Sequence, residues 1–104
     1  MNRIAFTMKL YKNAAGEYKQ RHDAIWPELK ALLRENGISD YSIFLDETSG
    51  VLYGTLKIKD PGRMTEIAHH PLMKRWWEFM KDIMETNPDH SPVSQSLKEV
   101  FHLD

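Results

Sequence analysis

The chain has 104 residues, 41% hydrophobic and 28% charged. This fits one globular domain with a core of its own and no space for a separate cofactor domain. It contains no cysteine, which excludes disulfides, thiolate metal sites and cysteine nucleophiles, and no run approaches the ~18 apolar residues of a membrane span. Lys plus Arg number 14 against 15 Asp plus Glu, a net charge of −1, so nothing pulls the chain toward nucleic acid or anionic lipid and a small neutral ligand suits it.

Residues Met1 to Thr7 lack the apolar run of a signal peptide, which points to the cytosol. Arg3 to Leu10 alternates, with Ile4, Phe6, Met8 and Leu10 on one side, as a half-buried strand does. From about Ala14 to Asn36 the spacing is helical: Tyr18, His22, Trp26, Leu29, Leu32 and Leu33 share a face. Pro27 lies inside that pattern and cannot donate to the carbonyl of Asp23, so the helix should bend or restart around Asp23 to Trp26. Gly37 stands where a helix ends.

Tyr41 to Asp46 and Val51 to Lys59 are predicted strands, joined by a turn at Glu47-Thr48-Ser49-Gly50. Gly54 inside the second suggests a bulge or a close approach by another group. Asp60-Pro61 looks like an N-cap followed by proline, opening a helix to about His69. Pro71 interrupts it, and a further segment runs from Leu72 to about Met84. Turn signals fill Glu85 to Gln95, and Leu97 to Leu103 is a closing strand.

Strand, helix, strand, strand, helix, strand is the α+β, ferredoxin-like βαββαβ sandwich, with the helices on one sheet face. The other face should then be polar, yet both parities of the strands carry apolar groups. Phe44 opposes Ile43 and Leu45, Tyr53 opposes Leu52, and Val100 opposes Phe101. A second copy packed sheet against sheet is the expected cover.

A lone His on a helix is more often structural than catalytic. His22, however, lies one turn after Tyr18 and one turn before Trp26, just ahead of the expected break. A backbone acceptor freed there would orient its imidazole and set the tautomer. Trp76 and Trp77 belong to two adjacent apolar stripes, so one belongs to the core and the other to a pocket edge, where an indole suits the C–H side of a sugar. Tyr41 adds a phenol. No metal site is expected: His69 and His70 diverge as neighbours, and no His-Glu-x-x-His, P-loop or Gly-x-Ser-x-Gly is present.

The run Tyr18-Lys-Gln-Arg-His22-Asp-Ala-Ile-Trp26-Pro27-Glu28-Leu29 resembles the first-helix motif of the L-rhamnose mutarotase family. Arg75-Trp76-Trp77, Asn87-Pro88-Asp89-His90-Ser91-Pro92 and Glu99-Val100-Phe101 match later landmarks in order, so the resemblance spans the whole chain. It implies a cofactor-free homodimer, a dimeric α/β barrel, that interconverts the α and β anomers of L-rhamnose. His22 takes the proton donor's place, and Tyr18, Tyr41, Trp76 and Trp77 take sugar-binding places. His90 receives no role. On this basis His22 is expected to protonate the ring oxygen, Tyr18 or Tyr41, alone or through water, to manage the anomeric proton and hold hydroxyls, and Trp76 and Trp77 to flank the sugar. A ferredoxin-like monooxygenase or haem-binding relative, or a non-catalytic ligand-sensing module, remain alternatives on fold grounds.

Overall fold

A computed structural model describes residues 1–104. Four strands form one antiparallel sheet: β1 (Asn2–Lys9), β2 (Ile38–Asp46), β3 (Val51–Ile58) and β4 (Gln95–Leu97), in the order β2-β3-β1-β4. Four helices complete the chain: α1 (Ala15–Asp23), α2 (Pro27–Glu35), α3 (Arg63–His69) and α4 (Pro71–Met80). The strand order is the ferredoxin-like one expected from the element order. No helix is long and apolar enough to cross a membrane.

Proline divides both helical stretches. The expected bend between Ala14 and Asn36 is a full restart, with Pro27 at the first position of α2. Pro71 opens α4 in the same way. A proline is tolerated there because its missing N–H would have had no helical partner. The residue before each proline is pushed out of the helical region: Trp26 has ψ 129° and His70 has ψ 134°. His70 Nδ1 also accepts the Leu72 N–H at 3.1 Å, capping α4.

The core lies between the helices and one sheet face. Leu29, Leu52, Leu56, Ile58 and Met80 are its most buried large side chains. Phe6, Leu33 and Met73 pack against both of its clusters. Gly54, opposite Phe6 in the β1–β3 register, leaves room for that ring; a Cβ on Gly54 would lie 2.6 Å from Phe6 Cζ. Of the two expectations for Gly54, the close approach holds. The bulge lies in β2 instead, where Ser39 pairs with Lys57 but Ser42 pairs with Thr55.

Four boundaries differ from the sequence pattern, the first being β2, which begins at Ile38 rather than Tyr41. Asp60 does not cap α3 directly: its Oδ1 accepts the Gly62 N–H at 3.0 Å in a local turn, and the helix begins at Arg63. α4 ends at Met80, because the chain turns there to bring Met84 into a bridge with Leu10. The closing strand is only Gln95–Leu97, paired with Ala5–Thr7. Beyond it Val100, Phe101 and Leu103 are 88%, 78% and 79% exposed. An edge segment with no surface to bury either face against gains too little to hold a ladder.

Candidate active site

One turn of α1 sets the first two groups. Residues four apart share a helix face, and the Tyr18 and His22 rings stack at 4.3 Å with 29° between planes. The Nδ1–H of His22 donates to the Tyr18 carbonyl at 3.0 Å. The acceptor is therefore one turn upstream, not one freed by Pro27. Because a carbonyl only accepts, Nδ1 carries the proton in neutral imidazole and Nε2 is left with its lone pair free. Trp76 meets the imidazole edge-on at 5.4 Å and 89°. Burial lowers the His22 pKa from its usual 6.5, opposed by the Tyr18 hydrogen bond and the charge of Asp23. The neutral imidazole is thus the favoured form near pH 7.

The β2 bulge aims Tyr41. One extra residue between Ser39 and Ser42 shifts the strand's parity, so Tyr41 joins the face of Ile38, Ile43 and Leu45. The left-handed Asp40, φ 51°, lies within the shift. Tyr41 meets the Phe6 ring at 6.2 Å and 73°. Tyr41 is 39% exposed as a residue, but partial desolvation of its phenol at the cavity wall pushes its pKa up, to about 12. Tyr18, 8% exposed, is raised further, by burial first and by the proximity of Tyr41 second. Both phenols remain O–H donors throughout the neutral range.

Arg21 holds α1 against the end of α4. Its guanidinium pairs with both Asp82 oxygens at 2.8 and 3.1 Å, and donates to the Phe79 carbonyl at 2.7 Å and to Glu17 at 2.8 Å. It also lies 4.6 Å over the Phe79 ring. Those bonds keep Arg21 charged and hold the Asp82 carboxyl below its usual range. Phe79 and Trp26 in turn pack on Trp76 at 5.6 and 5.1 Å. The clamp fixes His22 relative to Trp76, and nothing in the sequence pattern distinguished Arg21 from any surface arginine.

All five residues expected at the site line one cavity of about 420 Å³, its open mouth included: Tyr18, His22, Tyr41, Trp76 and Trp77. Trp76 is both core and wall, 6% exposed, and Trp77 is half-buried. Met8, Met73, Met80 and Met84 complete an apolar lining. Thr86 and His90 also line the cavity, from the loop after α4. Sequence spacing assigned them nothing, because their approach depends on how that loop folds back.

Together these groups form an aromatic-walled pocket with one neutral imidazole nitrogen and two phenol donors. A profile described as L-rhamnose mutarotase matches residues 3–103. An L-rhamnose mutarotase from Flavobacterium johnsoniae is 60% identical over 102 residues, which is 98% of this chain and 95% of that one. One from Lachnoclostridium phytofermentans is 53% identical over the full length of both. The crystal structure of L-rhamnose mutarotase from Formosa agariphila matches with a TM-score of 0.93 at 48% identity, covering all of both chains. An antibiotic biosynthesis monooxygenase matches with a TM-score of 0.62 at 12% identity, over 96% of this chain and 99% of that one. At that identity only the fold is shared, and the monooxygenase alternative has no other support. The chain belongs to the L-rhamnose mutarotase family.

Proposed function

We propose that this protein interconverts the α and β anomers of L-rhamnose by acid–base ring opening and closing, with His22 as the proton-transfer residue. The observation that carries the reading is the imidazole geometry. Nδ1–H is committed to the Tyr18 carbonyl, so Nε2 is the nitrogen available to a ligand in the shared cavity.

Opening a hemiacetal removes the proton from the anomeric hydroxyl, breaks the bond between the anomeric carbon and the ring oxygen, and places a proton on that oxygen. The lowered pKa of His22 sets the order. Neutral Nε2 first accepts the anomeric proton; the resulting imidazolium then protonates the ring oxygen. Both oxygens are bonded to the same carbon, so one nitrogen serves both. Rotation about the neighbouring C–C bond presents the other carbonyl face, and closure runs the transfers backwards. His22 reaches its expected donor role only after acting as base.

Of the two parts expected of Tyr18 and Tyr41, holding hydroxyls fits their raised pKa values and managing the anomeric proton does not. Phenols whose pKa values are raised do not collect an anomeric proton at neutral pH. They donate hydrogen bonds to sugar hydroxyls. Trp76 and Trp77 pack on the C–H side of the ring, and the methionines suit the methyl of a 6-deoxy sugar. General acid–base catalysis of this kind supplies about 10²–10⁴-fold. Saturation-transfer NMR tests it: the protein should speed exchange between L-rhamnose anomers and leave D-glucose nearly unaffected. His22→Ala should fall toward the uncatalysed rate while remaining folded. Full activity in that variant would remove His22 from the mechanism.

The working form in this reading is a cytosolic homodimer joined through the sheet. On the helix-free face Phe44 lies beside Tyr53 in the β2–β3 register, and Leu97 beside Ala5. Phe44 is 64% exposed. With the apolar tail at Val100, Phe101 and Leu103, these residues form the kind of exposed apolar surface that marks an interaction site.

A further inference from the structure

The segment Asn87 to Pro92 is a clasp. The Asn87 N–H donates to the Ser91 carbonyl at 2.7 Å, and the His90 N–H donates to the Asn87 carbonyl at 2.8 Å. The Asn87 side-chain amide reaches Ser91 Oγ at 3.1 Å and the Pro92 carbonyl at 3.3 Å. Asp89 Oδ1 accepts from both the N–H and the hydroxyl of Ser91, at 3.0 and 2.5 Å. The base of the loop is tied down by Val93 N–H to the Glu85 carbonyl at 3.1 Å, and by Glu85 N–H to the Lys9 carbonyl of β1 at 2.9 Å.

At the tip of this clasp His90 is left-handed, φ 71°. Left-handed backbone is unfavourable for a residue with a Cβ, and it persists only where surrounding bonds over-determine it. Here they do, and the side chain so directed is half-buried and lines the His22 cavity. The polar inventory of that cavity is otherwise short. His22 offers one free nitrogen, Tyr18, Tyr41 and Thr86 one hydroxyl each, and Trp76 and Trp77 only indole N–H donors, against an otherwise apolar lining. A deoxyhexose brings four hydroxyls and a ring oxygen. Each one buried without a partner weakens binding.

We infer that His90 is a further sugar-binding residue, its imidazole hydrogen-bonding one ring hydroxyl from the loop side of the pocket. This rests on the mutarotase reading above. A neutral imidazole has one donor and one acceptor nitrogen, which matches a hydroxyl able to act either way. The clasp of Asn87, Asp89 and Ser91 sets its direction before the sugar arrives, so less ordering is left for binding to bring about.

The test is the concentration dependence of anomer exchange in His90→Gly, since glycine keeps the left-handed backbone without strain. KM for L-rhamnose should rise about 3- to 10-fold, the worth of one neutral hydrogen bond, with kcat within about 2-fold. Monodeoxy analogues of L-rhamnose supply the readout that a merely structural role would not move. The analogue lacking the contacted hydroxyl should show the same KM in wild type and variant, while the others keep the difference. An unchanged KM for L-rhamnose overturns the inference, as does a rise of equal size on every analogue. If the glycine variant does not fold, His90→Gln, which loses the ring and its reach, enters the same comparison. Wild-type protein without exchange on L-rhamnose would sink the mutarotase reading itself. Wild-type exchange with an indifferent His90 variant would sink only this assignment.

Discussion

Gly54→Ala tests how the sheet supports the pocket. Gly54 does not occupy the left-handed region, so alanine meets no backbone penalty there and the effect is one of space. The new Cβ would lie 2.6, 2.7 and 3.1 Å from Phe6 Cζ, Cε2 and Cε1, where carbon atoms prefer about 3.5–4.0 Å. The ring must retreat by about 1 Å. Phe6 packs against both core clusters and touches the Tyr41 ring, so the displacement reaches core and site together. Overpacking of this kind costs about 1–3 kcal/mol. Replacing a strand glycine returns about 0.5–1 kcal/mol, leaving a net loss of about 1–2 kcal/mol. For a domain of this size each kcal/mol moves the melting temperature by about 4–8 °C, so a thermal melt followed by circular dichroism should fall by about 4–16 °C. KM for the sugar should rise as Tyr41 shifts. Leucine lacks the clashing ring tip, so Phe6→Leu combined with Gly54→Ala should be more stable than the sum of the single changes predicts, by about 1 kcal/mol. An unchanged melting temperature, or strict additivity in the double variant, would refute the packing argument.

Two further outcomes follow from the site and the sheet. The neutral form of His22 is favoured in the folded protein, so kcat/KM should be flat above pH ~6.5 and fall on the acid side with a midpoint below that value. By the same linkage the native state loses stability as pH drops below the unfolded pKa and through the lowered folded one. His22→Asn should flatten that part of a melting-temperature profile, and a profile of unchanged slope would contradict the burial of a neutral imidazole. Phe44→Lys places a charge on β2, an edge strand, on the helix-free sheet face. Analytical ultracentrifugation should find the parent at two chain masses and the variant at one, and a parent that sediments as a single chain at micromolar concentration would end the dimer proposal.

Much of this protein was legible from neighbours close in sequence. Alternation along Arg3 to Leu10, the helical spacing of Tyr18, His22 and Trp26, the prolines at 27 and 71, and the turn before Gly50 each depend on a few adjacent residues. Periodicity and proline chemistry act over that range, so the element order and the pairing of Tyr18 with His22 on one helix face came through directly. What only the tertiary structure decided depends on groups far apart along the chain. Tyr41 enters the pocket because Ser39 and Ser42 find partners in β3 that are one residue short of matching. Arg21 becomes an anchor only when Phe79 and Asp82 arrive beside it. His90 faces the cavity because its loop is bound back to Glu85 and, through it, to β1. The charge state of His22 has the same origin: spacing places an imidazole on a helix, but burial against Trp76 and the other cavity walls removes the water that would stabilise its proton.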